Sequence, residues 1–461
     1  MTQLMKGSVP SILEAVGHTP LVKLNKVGSH VKASIYVKAE YMNPGGSVKD
    51  RIGIHIVNQA EKLGLLKPGG TIVEATSGNT GMGLALVAAV RGYKTIFVMP
   101  DKQSEEKRQA LRSVGAKVVI CPTDVEPDDP RSYYCVSRRL ADETPNAFYA
   151  NQYHNPANPE AHYLSTGPEL WEQTGGEMDV FVGGMGTGGT LSGTGKFLKE
   201  KKPGIKIVGV DPIGSLYYDL YKTGRMTKAH PYKVEGIGED FVPSTMNLKM
   251  LDEVIQVTDR ECFSIARDLI RKEGLLCGGS CGAAVAGAVK YAEMSGKAEN
   301  IVVLLPDSSS RYLSKFLNDD WMRENGMLGP ETSPGLVRDI LARRKDPNVI
   351  TADAAEPVGV VIERMKNRGI SQVPVMEAGA LLGIVNEVDI LKHLVGGEAN
   401  MKTPVKALAE DNFATVTPDS SVAFLTEHFN RGKVVMVMDG KKVAGVITKI
   451  DLIEHLAGRL N

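Results

Sequence analysis

Cysteine is scarce in this chain: five in 461 residues, at Cys121, Cys135, Cys262, Cys277 and Cys281. So sparse and odd a set excludes a disulfide scaffold and fits reduced thiols. Cys277 and Cys281 lie four apart beside a glycine turn, but no further cysteine or histidine cluster completes a zinc site, and no metal is expected. An excess of one charge is missing as well, since 54 Lys and Arg balance 54 Asp and Glu. That argues against nucleic acid or an anionic membrane as a partner held by bulk charge, and leaves open only a local basic patch. No apolar run approaches the length of a membrane span, and Met1 to Pro10 lacks the regions of a signal peptide, so a cytoplasmic protein is expected.

What is present is length and glycine. A chain of 461 residues with 49 glycines exceeds one ordinary core, and two or more domains are expected. Between Ala33 and about Leu317, short branched-apolar runs alternate with helical stretches, the pattern of an α/β domain with a largely parallel sheet. The spacing predicts strands at Ile35–Ala39, Thr71–Glu74, Thr95–Met99, Lys117–Ile120, Val180–Val182, Ile205–Val210, Val254–Val257 and Ile301–Leu305. It predicts helices at Asn79–Arg91, Ser104–Ser113 and Asp259–Glu273. In such sheets ligands sit outside the carboxyl ends of the strands, and there the glycine-rich segments fall.

The central segment is Asn43-Pro44-Gly45-Gly46-Ser47-Val48-Lys49-Asp50-Arg51. It ends a strand, turns, and with Ser47 as the expected N-cap opens a helix running to about Leu63. Lys49 then stands at the positive end of a helix dipole, where the field and partial burial lower its pKa. A neutral amine is what attacks an aldehyde to form a Schiff base. The same pattern alone also fits a solvated lysine in a first helical turn. Glu74 to Gly81 follows a strand and opens a helix, so its amides and hydroxyls converge on an anion such as a carboxylate, with Asn79 free to meet a phenolate; a plain tight turn is the alternative. Gly183 to Thr190 holds five glycines in eight residues with Thr187 and Thr190, which suits a phosphate cradle. It is neither a P-loop nor a dinucleotide fingerprint. Ser280, in Cys277 to Gly282, could cap the alanine-rich helix that follows or donate to a ring nitrogen. Together an aldehyde-seeking lysine, a phosphate cradle, an asparagine for a ring oxygen and a serine for a ring nitrogen describe pyridoxal phosphate.

On the motifs Gly17-His18-Thr19-Pro20-Leu21, Asn43 to Arg51, Thr76 to Gly81, Asn151-Gln152-Tyr153, Gly186 to Thr190, Glu235-Gly236-Ile237-Gly238 and Gly278-Gly279-Ser280, the chain resembles the fold type II pyridoxal-phosphate enzymes of the cysteine synthase and cystathionine β-synthase group. The resemblance implies two α/β subdomains with largely parallel sheets, spanning about residues 1–325. It implies Lys49 as the Schiff-base lysine and Asn79 at the ring oxygen. Gly186, Thr187, Gly188, Gly189 and Thr190 would hold the phosphate, and Ser280 the pyridine nitrogen. Thr76, Ser77, Asn79, Thr80 and Gln152 would hold the substrate carboxylate, with Tyr153 and Gly236 to Gly238 near the second substrate. Glu239 stands where some relatives carry tyrosine, which puts the handling of the thiol substrate in doubt.

Residues 326–336, dense in glycine and proline, read as a linker. Beyond it the chain repeats itself: Gly383 to Leu394 matches Gly445 to Leu456 with a shift of 62, while Asn367-Arg368-Gly369 matches Asn430-Arg431-Gly432 with a shift of 63, so one hairpin is expected to be a residue shorter. Residues 337–461 resemble a tandem CBS-domain (Bateman) module, with repeats at about 337–397 and 398–461, which implies an adenosyl ligand such as S-adenosylmethionine or an adenine nucleotide. Gly445, Thr448 and Asp451 meet the ribose pattern of that family; in the first copy Asn386 replaces the hydroxyl before Asp389. For both aspartates the alternative is a carboxylate complementing a helix dipole.

Core and tail together imply a cytoplasmic lyase of transsulfuration that condenses L-serine with L-homocysteine to L-cystathionine and water, as a homodimer or higher homo-oligomer, with no heme. The rival in the same class is a cysteine synthase using O-acetylserine and sulfide. A reading of another class is an adenosyl-ligand sensor with a vestigial enzyme body, which retention of Lys49, Asn79, Thr187 and Ser280 weakens.

Overall fold

The computed structural model describes residues 4–123, 125–126, 128–328, 335–342, 349–430, 432–440 and 442–457. They form two compact units, Met1–Leu328 and Gly329–Asn461. Most of the expected linker, residues 329–334, lies outside the described residues.

The first unit contains two sheets. In the larger, the strands run in the order Leu21–Lys23, Ser34–Ala39, Asn300–Leu305, Val180–Gly184, Lys206–Pro212, Glu253–Val257, all parallel except for the antiparallel pair at the Leu21 edge. In the smaller, Lys117–Cys121, Lys94–Pro100, Thr71–Ala75 and Ala147–Tyr149 are all parallel. Both faces of the larger sheet are covered, which is why its strands read as continuous apolar runs. Val180, Val182, Val208, Val210, Ile301 and Val303 enter one core cluster, while the alternate residues Phe181, Ile207, Val302 and Leu304 enter another. The smaller sheet has its own core around Ile72, Phe97, Met99, Leu84 and Ile56.

All eight expected strands are present, most of them a residue or two longer. The Asn79–Arg91 and Asp259–Glu273 helices have the expected bounds, the latter with a capping box between Thr258 and Glu261. Two short strands, Leu21–Lys23 and Ala147–Tyr149, went unread because three residues carry no periodic signal. The expectation that Ser47 caps the lysine helix is corrected. That helix is Lys49–Lys62, and its N-cap is Val48, because Ser47 is drawn into an antiparallel bridge with Asp307. Its hydroxyl still accepts from the Lys49 amide at 3.2 Å. Ser280 likewise does not cap its helix: it is the second residue of Gly279–Ser295, whose N-cap is Gly278.

The second unit shows the repeat as two three-stranded sheets of one topology, Ala352–Asp353, Gln372–Glu377, Ala380–Asn386 and Phe413–Val416, Val434–Asp439, Lys442–Ile447. In each, a parallel pair precedes an antiparallel hairpin with a register shift, at Val375/Met376 and at Val437/Met438. Both hairpins pair at the same offset, Val375 with Gly383 and Val437 with Gly445. The hairpins are therefore equal in length, contrary to the expectation. The one-residue difference sits earlier, between the left-handed glycines Gly369 and Gly432 and the strands that follow them.

Candidate active site

Because the strands are parallel, their carboxyl ends lie along common sheet edges, and the expected site residues follow those ends. Lys49 follows Ser34–Ala39, Thr76 follows Thr71–Ala75, Gln152 follows Ala147–Tyr149, and Gly186 follows Val180–Gly184. Asp307, which stands in none of the glycine-rich motifs, follows Asn300–Leu305.

Lys49 opens its helix half-buried. Among the described residues no hydrogen bond or ion pair engages its Nζ, and burial lowers its pKa against the opposing charges of Asp307 and Glu239. The turn before it is fastened from below by a buried polar network. Arg51 donates twice to Glu40 at 2.7 Å and pairs with Glu169 at 2.9 Å. Lys38 pairs with Glu169 and donates to the Thr19 carbonyl at 2.6 Å. The Thr19 hydroxyl donates to Glu40 at 2.6 Å, and the Gly17 amide donates to Asn43 at 2.8 Å. These bonds explain the Gly17 to Leu21 motif, which holds the lysine turn.

In the loop after Thr71–Ala75, Gly78 has φ +119°, a conformation that favours glycine. The Thr76 hydroxyl accepts from the amides of Gly78 at 2.9 Å and Gly81 at 3.2 Å, so it shapes the loop. Thr80 donates to Gln152 Oε1 at 2.6 Å, and Gln152 Nε2 donates to the Ala75 carbonyl at 2.9 Å. Asn79 Nδ2 donates to Asp307 Oδ2 at 2.8 Å, leaving its buried Oδ1 without a partner among the described residues. Tyr312 donates to the same carboxylate oxygen at 2.6 Å, so Asp307 orients Asn79.

The glycine cradle runs from Gly184 into the Gly189–Lys201 helix, and the first amides of a helix find no carbonyl within it. A Cβ at Gly189 would run into the Asn158 side chain, and one at Gly186 would stand 3.1 Å from the Gly236 carbonyl. Asn158 donates to Thr187 Oγ1 at 3.1 Å. Thr190 Oγ1 meets the buried Nε2 of His162 at 3.2 Å, on a π-helical turn, His162–Thr166. Burial, with the charges of Lys49, Arg51 and His55, holds His162 well below its usual pKa and therefore neutral. The sequence offered no signal for His162, since a π turn has no pattern of its own.

Tyr153 is buried in an aromatic group with Tyr134 and Phe241 and bonds to the Tyr133 hydroxyl at 3.1 Å. Glu239 faces this group; burial and then Asp240 push its pKa well up, against Lys102 and Lys49. Gly236 and Gly238 both have positive φ, and a Cβ at Gly238 would meet Tyr232 and Pro212. Ser280 is buried at the start of the helix after Gly278.

In the second unit Asp451 Oδ2 accepts from the amide of Thr448 at 2.7 Å and its hydroxyl at 2.8 Å, a reciprocal cap. Asn386 Oδ1 accepts from the Asp389 amide at 2.9 Å. Asp389 Oδ2 is buried without a hydrogen-bond partner among the described residues.

A free amine, a glycine cradle at a helix start and an asparagine held by a carboxylate define the cleft of a cofactor-dependent α/β enzyme, and comparison with known proteins agrees. Residues 12–307 match the pyridoxal-phosphate dependent enzyme family, and residues 337–396 and 405–458 match the CBS domain. Cystathionine beta-synthase of Dictyostelium discoideum is 38% identical over 463 residues, covering 97% of this chain and 92% of that protein. That of Saccharomyces cerevisiae is 36% identical over 497 residues, covering 97% and 98%. Among solved structures, an O-acetylserine dependent cystathionine beta-synthase from Helicobacter pylori is 38% identical with a TM-score of 0.61, covering 67% of this chain and 98% of its own. A hydrogen sulfide-producing enzyme from Fusobacterium nucleatum is 38% identical with a TM-score of 0.62, covering 66% and 100%. The chain belongs to the cystathionine β-synthase family of pyridoxal-phosphate-dependent enzymes, with fold type II catalytic architecture and CBS domains, and is a pyridoxal-phosphate-dependent lyase.

The family implies pyridoxal phosphate, and the residues present fit it. The amine of Lys49 has no hydrogen bond or ion pair among the described residues, the Gly189–Lys201 helix opens on amides with no carbonyl partner inside it, and Asn79 Nδ2, which gives one hydrogen to Asp307, keeps a second for a ring oxygen.

Proposed function

We propose that the chain condenses L-serine with L-homocysteine to L-cystathionine and water, a β-replacement of transsulfuration. The observation that supports this best is that Lys49, with its amine unengaged, and Asn79 of the loop Thr76 to Thr80 both meet Asp307, one by charge and one by a 2.8 Å hydrogen bond. Bound pyridoxal phosphate supplies the aldehyde and the electron sink that make the substrate α-proton acidic. Lys49 Nζ, whose pKa burial lowers, attaches the cofactor and takes and returns the proton at that carbon. Asn79, steered by Asp307, sits at the ring oxygen. Gly186, Thr187, Gly188, Gly189 and Thr190 hold the phosphate, and Ser280, a neutral donor, the ring nitrogen. Ser77, Thr80 and Gln152 bind the substrate carboxylate, with Thr76 shaping their loop. Tyr153, Gly236 and Gly238 border the second substrate.

O-Acetylserine with sulfide is the alternative pair, its first member supported by the Helicobacter pylori relative, an O-acetylserine dependent enzyme. Steady-state rates with serine against O-acetylserine, and homocysteine against sulfide, test the reading; turnover with O-acetylserine alone overturns it. Residues 1–325 are assigned to catalysis, 326–336 to a linker and 337–461 to a regulatory module. There Thr448, Asp451 and Asp389 read the ribose of S-adenosylmethionine or an adenine nucleotide. A homo-oligomer is supported by matching exposed apolar faces in the two repeats, Val388 and Leu391 in one and Ile450 and Ile453 in the other. A cytoplasmic site is supported by five free thiols.

A further inference from the structure

Lys107 is a lysine where lysine is seldom found. It lies in the Glu105–Ser113 helix beside the smaller sheet, 1% exposed, with its ammonium 2.6 Å from Glu235 Oε2. Glu235 lies on the far side of the cleft, in the segment between the Lys206–Pro212 and Glu253–Val257 strands of the larger sheet, immediately before Gly236. The ammonium also stands 4.5 Å over the ring of Tyr312. Gln103 completes the enclosure: with its amide turned to satisfy both ends, it donates to Glu235 at 2.8 Å and to the Ser77 carbonyl at 3.2 Å.

The substrate loop rests on this assembly. A Cβ at Gly78 would lie 3.1 to 3.3 Å from the Cβ, Cγ and Cδ of Lys107, so the loop backbone is seated on the lysine stem. One buried side chain thus carries the loop of Ser77 and Gly78 on its methylenes and grips the Gly236 segment with its charge. Removing either partner leaves the other charge buried and unpaired, and the two segments then separate to admit water.

We propose that the Lys107–Glu235 ion pair is a positioning device that spans the two sheets and sets the amino-acid loop against the second-substrate segment. The inference rests on the reading that the loop from Thr76 to Thr80 holds the amino-acid carboxylate. Neither residue touches the reacting atoms; both act through the backbone they hold. The cofactor is gripped elsewhere, by the cradle and by Lys49, so its binding is independent of the pair.

The test uses the full-length holoenzyme. Lys107→Met is expected to keep the cofactor content and visible absorbance of the wild type. It is expected to raise the L-serine concentration needed for the spectral change on amino-acid binding, and the amino-acid KM, by about tenfold or more, with kcat within about threefold. Glu235→Gln behaves alike, the double variant is no worse than either single one, and Lys107→Arg restores most of the loss. Unchanged L-serine titration in both single variants, or losses that simply add, overturns the proposal. If Lys107→Met does not accumulate as folded protein, Glu235→Gln, which keeps shape and an acceptor, is read by the same criteria. Wild-type turnover with serine and homocysteine is measured in parallel. Its absence fails the functional reading, while the spectral titration still decides the pair.

Discussion

Lys49 carries the strongest prediction at the scale of single residues. Lys49→Ala is expected to abolish turnover and the borohydride-sensitive visible absorbance while leaving the circular dichroism unchanged; near-normal turnover would remove Lys49 from its role. Buried carboxyls nearby set a pH dependence of stability. Burial pushes Glu74, in the Thr71–Ala75 strand, up to about 8 from 4.5, and Asp50 up to about 7 from 3.8. A carboxyl whose pKa is higher folded than unfolded binds more protons in the native state between those two values. Stability therefore falls as pH rises from about 4.5 to about 8. Glu74→Gln, neutral throughout, is expected to flatten this slope: the wild type should lose more melting temperature between pH 6 and pH 9 than the variant, as read by calorimetry. Parallel curves would mean that Glu74 does not carry the dependence.

At the scale of elements, the site is held by turns and caps. The Asp259–Glu273 helix begins with a complete capping box, the Thr258 hydroxyl accepting from the Glu261 amide and Glu261 Oε2 accepting from the Thr258 amide at 2.7 Å. Thr258→Ala is expected to cost about 1 kcal/mol in denaturant unfolding, with cofactor absorbance unaltered. A change below a few tenths would show that the helix is held by packing alone. The lysine helix shows the converse, where local capping preference yields: Ser47 has the chemistry of a cap, but the bridge to Asp307 moves the start to Val48. Sequence pattern placed the Asn79–Arg91 and Asp259–Glu273 helices and the longer strands of both sheets, because burial on one face of a helix writes a period and burial on both faces of a strand writes a continuous apolar run. It missed the π turn at His162 and the three-residue strands because nothing periodic fits in so few residues.

For the whole molecule, the prediction concerns the CBS domains and the regulatory role proposed for them. Asp451 spends its Oδ2 on the cap of its own helix, whereas Asp389 keeps a buried Oδ2 without a hydrogen-bond partner among the described residues. Loss of a charge-assisted acceptor is worth roughly 1.5 to 3 kcal/mol, about ten- to a hundredfold in affinity. Asp389→Ala and Asp451→Ala are both expected to reduce the rise in melting temperature that S-adenosylmethionine gives the full-length protein, with little change in basal turnover. A shift equal to that of the wild type in either variant would exclude that aspartate from the ribose site.

The chain by itself determined the α/β class, the order of the glycine-rich loops, the lysine and the internal repeat, because each of these is written in local pattern: period, turn chemistry and self-similarity. Only the tertiary structure decided which side chains face each other across the cleft. Asp307 was invisible as a partner of Asn79, from which it lies 228 positions away, and Lys107 as a partner of Glu235, 128 positions away. Nor could the residues tell that Thr76 turns its hydroxyl into its own loop, or that the extra residue of the first repeat precedes its hairpin. Such pairings depend on how two sheets meet, and the free energy of burying a charge beside its partner is a property of that meeting, with no counterpart in the neighbourhood of either residue along the chain.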